Sequence, residues 1–168
     1  MELYLLRHGL AEEAKPGSRD ADRALTAEGK RKLRLVLGVA RRAGLRPDLI
    51  LTSPYRRAVE TAQIAAELLE YNEPLLETPQ LVPEADAAEA WAEIRIHKAA
   101  KSILVSSHEP LTSELIHFLC GARAEVKKGS LTRIDLEHVN PRPSGVLKWM
   151  LTPKLAEGFK SSSSKPPK

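Results

Sequence analysis

Three short apolar runs lie far apart along the chain, within residues 3–6, 48–52 and 102–106. A continuous apolar run of this length is typical of a strand that is buried on both faces of a sheet. The segment after each of the first two runs changes to a helical spacing of apolar residues. This alternation of strand and helix predicts a largely parallel sheet with helices on both faces.

The helices are predicted from capping residues and apolar spacing. Thr26 is the expected N-cap of a helix with apolar positions at 33, 36, 37 and 40, and Gly44 is expected to end it. A second helix is expected to follow Ser53 as N-cap, with Pro54 at its first helical position. Further helices are expected over residues 85–100 and 110–120, the last of them ending at Gly121.

The remaining apolar segments complete an α/β fold. Residues 75–81 predict a weak extended segment, and residues 130–136 and 145–151 predict two strands joined by a turn at 140–143. The expected architecture is a three-layer α/β/α sandwich with a mostly parallel central sheet, to which the last two strands make an antiparallel addition. Residues 1–156 are expected to form a single domain, followed by a disordered basic tail over 157–168.

The charge distribution argues against a nucleic-acid partner. The chain of 168 residues has a formal charge of +4, but three lysines of its last nine residues account for most of it, and residues 1–159 carry only +1. Cys120 is the one cysteine, so an intrachain disulfide and a cysteine metal cluster are excluded. Without a signal-peptide pattern or an apolar run long enough to span a membrane, the expected location is cytoplasmic, with no membrane partner.

Each of the three buried strands ends in polar residues suited to binding a phosphate. The carboxyl ends of parallel strands lie at one edge of a sheet, where α/β proteins bind ligands. Arginine can hold a phosphate through two parallel hydrogen bonds, and helix N-termini favour anions. The absence of a carboxylate cluster argues against a divalent metal, and no glycine-rich nucleotide loop is present. The clusters are Arg7-His8-Gly9, Ser53-Pro54-Tyr55-Arg56-Arg57 and Ser107-His108-Glu109-Pro110.

These motifs resemble the histidine phosphatase superfamily, and most of all its small phosphohistidine phosphatase members of the SixA type. The resemblance rests on Leu-Leu-Arg-His-Gly at 5–9, Ser-Pro-x-x-Arg-Ala-x-x-Thr-Ala at 53–62 and Ser-His-Glu-Pro at 107–110. It extends to the segment 22–29 and to the closing strands, and covers roughly residues 1–154. It implies a phosphoglycerate mutase-like fold and a phosphatase that needs neither metal nor other cofactor.

The resemblance also implies roles for individual residues. His8 would be the nucleophile that forms a covalent phosphohistidine, and its second ring nitrogen is expected to donate to a backbone carbonyl. Arg7 and Arg57 would hold the phosphoryl oxygens, and His108 would complete the pocket. Arg57 is chosen because it directly precedes the alanine of the motif.

For further phosphate contacts and for the general acid, the sequence leaves more than one interpretation open. Arg56 is the next candidate for a phosphate contact. Ser107 either donates to the phosphate or forms a local cap. Larger members of the superfamily carry a glutamate that protonates the leaving group, and here Glu84 fits that position best. The other candidates are Glu13, Asp20 and Glu109.

The expected substrate is phosphohistidine on a protein, such as a phosphotransfer domain. Only 46 residues separate Thr61 from His108, which leaves little chain for a lid over a small sugar phosphate. An imidazole leaving group also departs more readily than an alkoxide, so an acid is less necessary. The alternatives are a phosphomonoesterase acting on a sugar phosphate or nucleotide-derived ester, and an anion-binding module without turnover.

Overall fold

A six-stranded mixed sheet forms the centre of the computed structural model, which describes residues 1–140 and 142–161. The strands are β1 (Glu2–Arg7), β2 (Leu49–Thr52), β3 (Leu76–Glu77), β4 (Ser102–Ser107), β5 (Leu131–His138) and β6 (Ser144–Leu151). The helices are α1 (Ala27–Arg42), α2 (Arg56–Leu69), α3 (Ala87–Arg95), α4 (Leu111–Cys120) and α5 (Pro153–Ser161).

The strand order is β3-β2-β4-β1-β5-β6. β4 pairs in parallel with both β1 and β2, and β3 pairs in parallel with β2. β5 is antiparallel to β1 and to β6. The predicted mostly parallel sheet with an antiparallel addition is therefore confirmed. This order places the three buried strands side by side, so that their carboxyl ends meet.

Helices cover both faces of the sheet, as the uninterrupted apolar strands require. Tyr4 and Leu6 of β1 pack into a core formed with α1, α2 and α5. Leu3 and Leu5 point to the opposite face, into a core that includes residues of α3 and α4. The three-layer α/β/α sandwich is confirmed.

The helix ends agree with the sequence in part. The Thr26 hydroxyl accepts a hydrogen bond from the Gly29 N–H at 2.9 Å and caps α1 as predicted. Gly44 and Gly121 adopt positive φ angles of 91° and 71° directly after their helices, where glycine is favoured. The prediction for Ser53 is wrong, because α2 begins at Arg56 and its N-cap is Tyr55.

The predicted tail boundary also needs correction, because α5 continues through residues 157–161. Ala156 is buried against the core, and the Glu157 carboxylate pairs with Arg31 of α1 at 3.0 Å. These contacts extend the helix into a segment whose composition suggested disorder. Residues 162–168 of the predicted tail, and residue 141 of the predicted turn, lie outside the described residues. Over the described residues, no helix combines the length and apolar character needed to cross a membrane.

Candidate active site

The ends of β1, β2 and β4 bring three predicted clusters to one edge of the sheet. Arg7 is paired with Ser107 at the end of the β1–β4 ladder, and the next residue, His8, donates its backbone N–H to the Ser107 carbonyl at 2.9 Å. Ser53 follows β2, and its N–H is bonded to β4 at 3.0 Å. The imidazole rings of His8 and His108 consequently lie with their centroids 5.0 Å apart.

His8 is held as a neutral imidazole with a defined tautomer. Its Nδ1 lies 2.7 Å from the Gly9 carbonyl oxygen, which can only accept, so Nδ1 carries the proton. Nε2 then carries a lone pair and accepts from Arg57 Nε at 3.3 Å. Burial, reinforced by the positive charges of Arg57, Arg7 and Lys128, lowers the pKa of His8 to about 4. The expected donation to a backbone carbonyl is thus observed, and Nε2 is the ring nitrogen that carries a lone pair.

Two guanidinium groups lie beside His8. Arg57 is buried at 4% exposure, and it donates to both the backbone oxygen and the Oδ2 atom of Asp20 at 2.8 Å. Arg7 donates to the Val126 carbonyl oxygen at 2.6 Å, while its buried Nε has no partner among the described residues. Burial lowers the pKa of Arg7 from its ordinary value. The two arginines therefore place positive charge close to His8, whose Nε2 carries the lone pair.

His108 is neutral as well, and Ser53 orients it. Its Nε2 lies 2.8 Å from the Ser53 hydroxyl, which itself accepts from the Tyr55 N–H at 3.3 Å. The Ser53 hydroxyl and Nε2 of His108 therefore share one hydrogen bond, in which either atom can be the donor. Burial and the neighbouring His8 and Arg57 lower the pKa of His108 to about 2. Nδ1 of His108 is buried and has no hydrogen-bond partner among the described residues.

The Tyr55 ring forms a wall of the pocket. Its centroid lies 5.2 Å from that of His108, edge to face, and the Arg57 guanidinium carbon lies 5.0 Å from it. The Tyr55 hydroxyl donates to the exposed Glu84 carboxylate at 3.5 Å. The acid candidate Glu84 therefore lies at the rim of the pocket, one side chain away from His108.

Two predicted phosphate contacts are directed elsewhere. The Ser107 hydroxyl is fully buried and lies 3.1 Å from Thr112 Oγ1, which donates to a backbone carbonyl, so Ser107 forms a local contact within the start of α4. Arg56 is mostly exposed and pairs with Glu60 of the same helix at 2.9 Å. Arg57 rather than Arg56 therefore lies beside His8, and the Ser107 hydroxyl makes a local contact.

The other acid candidates are engaged or distant. Asp20 holds Arg57, which together with Arg23 lowers the pKa of its carboxyl. Glu109 accepts from the Ser113 N–H at 3.1 Å, and burial raises its pKa. Glu13 is an exposed residue of the loop after β1. Over the described residues, no group of three or more histidine, cysteine or acidic side chains could hold a metal ion.

Sequence reasoning missed the structural roles of Ser53 and Asp20. The pattern around Ser53 predicts a helix cap, and only the proximity of His108 across the sheet reveals its second partner. The sequence offers Asp20 only as a candidate acid, and its ion pair with Arg57 is visible only in the folded chain.

Comparisons with known proteins agree with this geometry. The family model of the histidine phosphatase superfamily (branch 1) matches residues 3–83. The phosphohistidine phosphatase SixA of Escherichia coli K12 is 25% identical over 157 residues, which cover 91% of this chain and 94% of that protein. An uncharacterised protein of Picosynechococcus is 46% identical over 70 residues, which cover 40% of this chain and only 42% of that relative.

Solved structures share the fold over almost the whole chain. The protein histidine phosphatase SixA complexed with tungstate superposes with a TM-score of 0.84 at 24% identity, covering 92% of this chain and 98% of that one. A mycobacterial glucosyl-3-phosphoglycerate phosphatase complexed with VO₃ gives a TM-score of 0.69 at 15% identity, covering 88% and 97%. Fold, site and sequence matches define a phosphatase. In sequence and in fold the chain is similar to the histidine phosphatase superfamily.

Proposed function

We propose that this protein hydrolyses phosphohistidine on a substrate protein through a covalent phosphohistidine formed at His8. The observation that carries the proposal is the neutral His8 ring, whose Nε2 lone pair lies beside two arginines while Gly9 fixes the proton on Nδ1. A histidine that is neutral at physiological pH is a competent nucleophile, and fixed guanidinium groups stabilise the charge of a phosphoryl group in transfer.

The reaction takes place in two displacements at phosphorus. Nε2 of His8 forms a bond to phosphorus while the P–N bond of the substrate breaks, and the electron pair of that bond stays with the departing nitrogen. Water protonates the other nitrogen of the substrate ring, so that the departing group is a neutral imidazole. Water then attacks phosphorus, the bond to Nε2 breaks, and phosphate and a proton are released. The proton stays on Nδ1 of His8 throughout, donated in a hydrogen bond to the Gly9 carbonyl oxygen.

The neighbouring groups assist both displacements. Arg7 and Arg57 hold the equatorial phosphoryl oxygens, and His108, whose ring centroid lies 5.0 Å from that of His8, completes the pocket. Ser53 holds the His108 ring in place through the hydrogen bond at Nε2. None of these steps requires a metal ion, so we expect activity in the presence of a chelator.

The test compares a phosphohistidine-bearing protein with an aryl phosphate, with chelator present, for the wild type and His8→Ala. We expect faster turnover of the phosphohistidine protein, and a loss of at least about 10³-fold in the variant. Labelled phosphate retained on the wild-type chain after a rapid alkaline quench, and absent from His8→Ala, would identify the intermediate. His138→Ala, at an exposed position, is the matched control. Unchanged turnover in His8→Ala would refute the proposal.

The second candidate is a phosphomonoesterase acting on small phosphoesters, and the position of Glu84 at the rim of the pocket favours it. An alkoxide leaving group requires protonation, to which a positioned acid contributes ~10²–10⁴-fold. Under this alternative, Glu84→Gln lowers kcat on an alkyl phosphate by roughly 10²-fold and leaves phosphohistidine turnover nearly unchanged. Glu89→Gln, an exposed residue of α3, is its control.

A further inference from the structure

A groove of about 580 Å³ opens beside Arg7 on the surface formed by α1, α5 and the segment before β5. We call it the basic groove, because its lining contains five cationic side chains and no carboxylate. The cationic residues are Arg7, Lys32, Lys127, Lys128 and Lys154.

The wall of the basic groove is fastened directly to the catalytic strand. The Gly129 N–H donates to the carbonyl oxygens of Arg7 and His8, at 3.1 and 3.0 Å. Gly129 adopts a φ of 77°, in the left-handed region that favours glycine. This turn places Lys128 close enough to His8 for its charge to act on the imidazole. The groove and the phosphoryl site therefore share one positive field.

The positive charge of the groove is only partly neutralised. Lys32 lies 3.3 Å from Glu28, and Lys127 pairs with Glu125. Lys128 and Lys154 are exposed and have no ion-pair partner among the residues that the structure describes. By contrast, much of the basic face of α1 is matched by carboxylates on neighbouring elements, as Arg34 is by Glu67 at 2.8 Å. Positive charge that no carboxylate of the described residues pairs with therefore lies next to the active site, although the chain is otherwise close to neutral.

We propose that the basic groove docks an acidic surface of the substrate protein, adjacent to its phosphohistidine. This proposal rests on the function proposed above and specifies its substrate as a phosphohistidine with carboxylates around it. The phosphoryl group alone needs only the two arginines beside His8. Lys128 and Lys154 offer charge beyond it, where acidic side chains of a partner would find complementary potential.

The test uses two phosphohistidine peptides of equal length, one with four glutamates flanking the phosphohistidine and one with glutamines in their place. We expect kcat/KM to be roughly tenfold higher for the acidic peptide, from a few exposed charge pairs. The preference should shrink as salt is raised above about 0.1 M, where the screening length is ~10 Å. The double variant Lys128→Glu/Lys154→Glu should lose or reverse it. Lys98→Glu/Lys101→Glu, at the opposite edge of the sheet, should retain it.

The outcomes separate docking from the proposed function. If the wild type hydrolyses neither peptide, the proposed function fails. If it hydrolyses both with equal kcat/KM, the function stands and the docking proposal is overturned. If Lys128→Glu/Lys154→Glu lowers kcat/KM equally for both peptides and for an aryl phosphate, the lysines act on the phosphoryl group itself, which also overturns docking. Circular dichroism of each variant confirms that it is folded.

Discussion

Gly29 of α1 has no room for a side chain, and replacing it with alanine tests how the loop after His8 is positioned. A methyl group on Gly29 would overlap the Leu10 carbonyl oxygen and lie 2.9 Å from the Leu10 nitrogen. These are backbone atoms, which cannot rotate away. The same Leu10 carbonyl accepts from the Thr26 N–H at 2.9 Å, so the helix start and the loop hold each other in place. Relief of the clash must move Leu10, two residues from His8.

The size of the effect follows from two opposing contributions. Alanine gains up to about 1 kcal/mol over glycine in a helix, whereas overpacking costs typically ~1–3 kcal/mol. Gly38→Ala is the matched control in the same helix, because its methyl would meet only a flexible arginine terminus at 3.8 Å. We expect Gly38→Ala to be stabilising and Gly29→Ala to be less stable than it by about 2 kcal/mol, a gap in Tm of roughly 4–8 °C.

Activity provides a second measurement on the same pair of variants. A displacement of the His8 loop by a fraction of an ångström should lower kcat/KM on an aryl phosphate by roughly 10- to 100-fold in Gly29→Ala, and leave Gly38→Ala at the wild-type value. Thermal unfolding and steady-state kinetics are sufficient for both. If Gly29→Ala raises Tm as much as Gly38→Ala does and keeps full activity, then close contact between the helix and the loop does not position the nucleophile.

Two further predictions concern charges in the site. Asp20→Asn removes the carboxylate that holds Arg57 at 2.8 Å; since Asp20 is half exposed, we expect about a fivefold loss of kcat/KM, against none for Asp22→Asn, whose partner is an exposed arginine. The pKa of His8 is lowered to about 4 by burial, so between pH 6.5 and 4 the unfolded chain binds a proton that the folded chain does not. Stability should therefore fall over this range by up to about 3 kcal/mol from this group, and urea unfolding of His8→Asn should show a shallower fall.

The sequence predicts the strands and the sheet edge that carry the site better than it predicts the contacts between the side chains of the site. Continuous apolar runs specify buried strands, and parallel strands bring their carboxyl ends to one edge, so the pattern places His8 and His108 at the same edge of the sheet. The strand order, which makes β1 and β4 neighbours, comes from the structure. Ser53 illustrates the limit. Serine before proline satisfies the local rule for a helix start, but its hydroxyl is used across the sheet by His108, and the helix begins later. Local patterns contain no information about a partner 55 residues away.

The continuation of α5 past residue 156 and the pairing of Arg57 show the same limit for charges. Glu157 stands in a segment of disorder-like composition, yet the partner that extends the helix is Arg31, 126 residues earlier. Asp20 belongs to a polar loop whose composition predicts only solvent exposure, and its carboxylate meets Arg57 because α2 packs against that loop. In both cases the deciding contact becomes visible only once the layers of the fold are assembled.

The hydrogen bonds made by the carboxylates around the site indicate which kind of leaving group its substrate can have. Asp20 is committed to Arg57 and Glu109 to the first turn of α4, and each would have to break a hydrogen bond to act as an acid. Among the residues that the structure describes, the one hydrogen-bond partner of Glu84 is Tyr55, at 3.5 Å, on the solvent side of the pocket. Because the nearer carboxylates are already hydrogen-bonded, the site suits a substrate whose leaving group departs without strong assistance from an acid. Phosphohistidine meets that condition because its leaving group is a neutral imidazole, whereas an alkyl phosphate would depend on the most peripheral of the three.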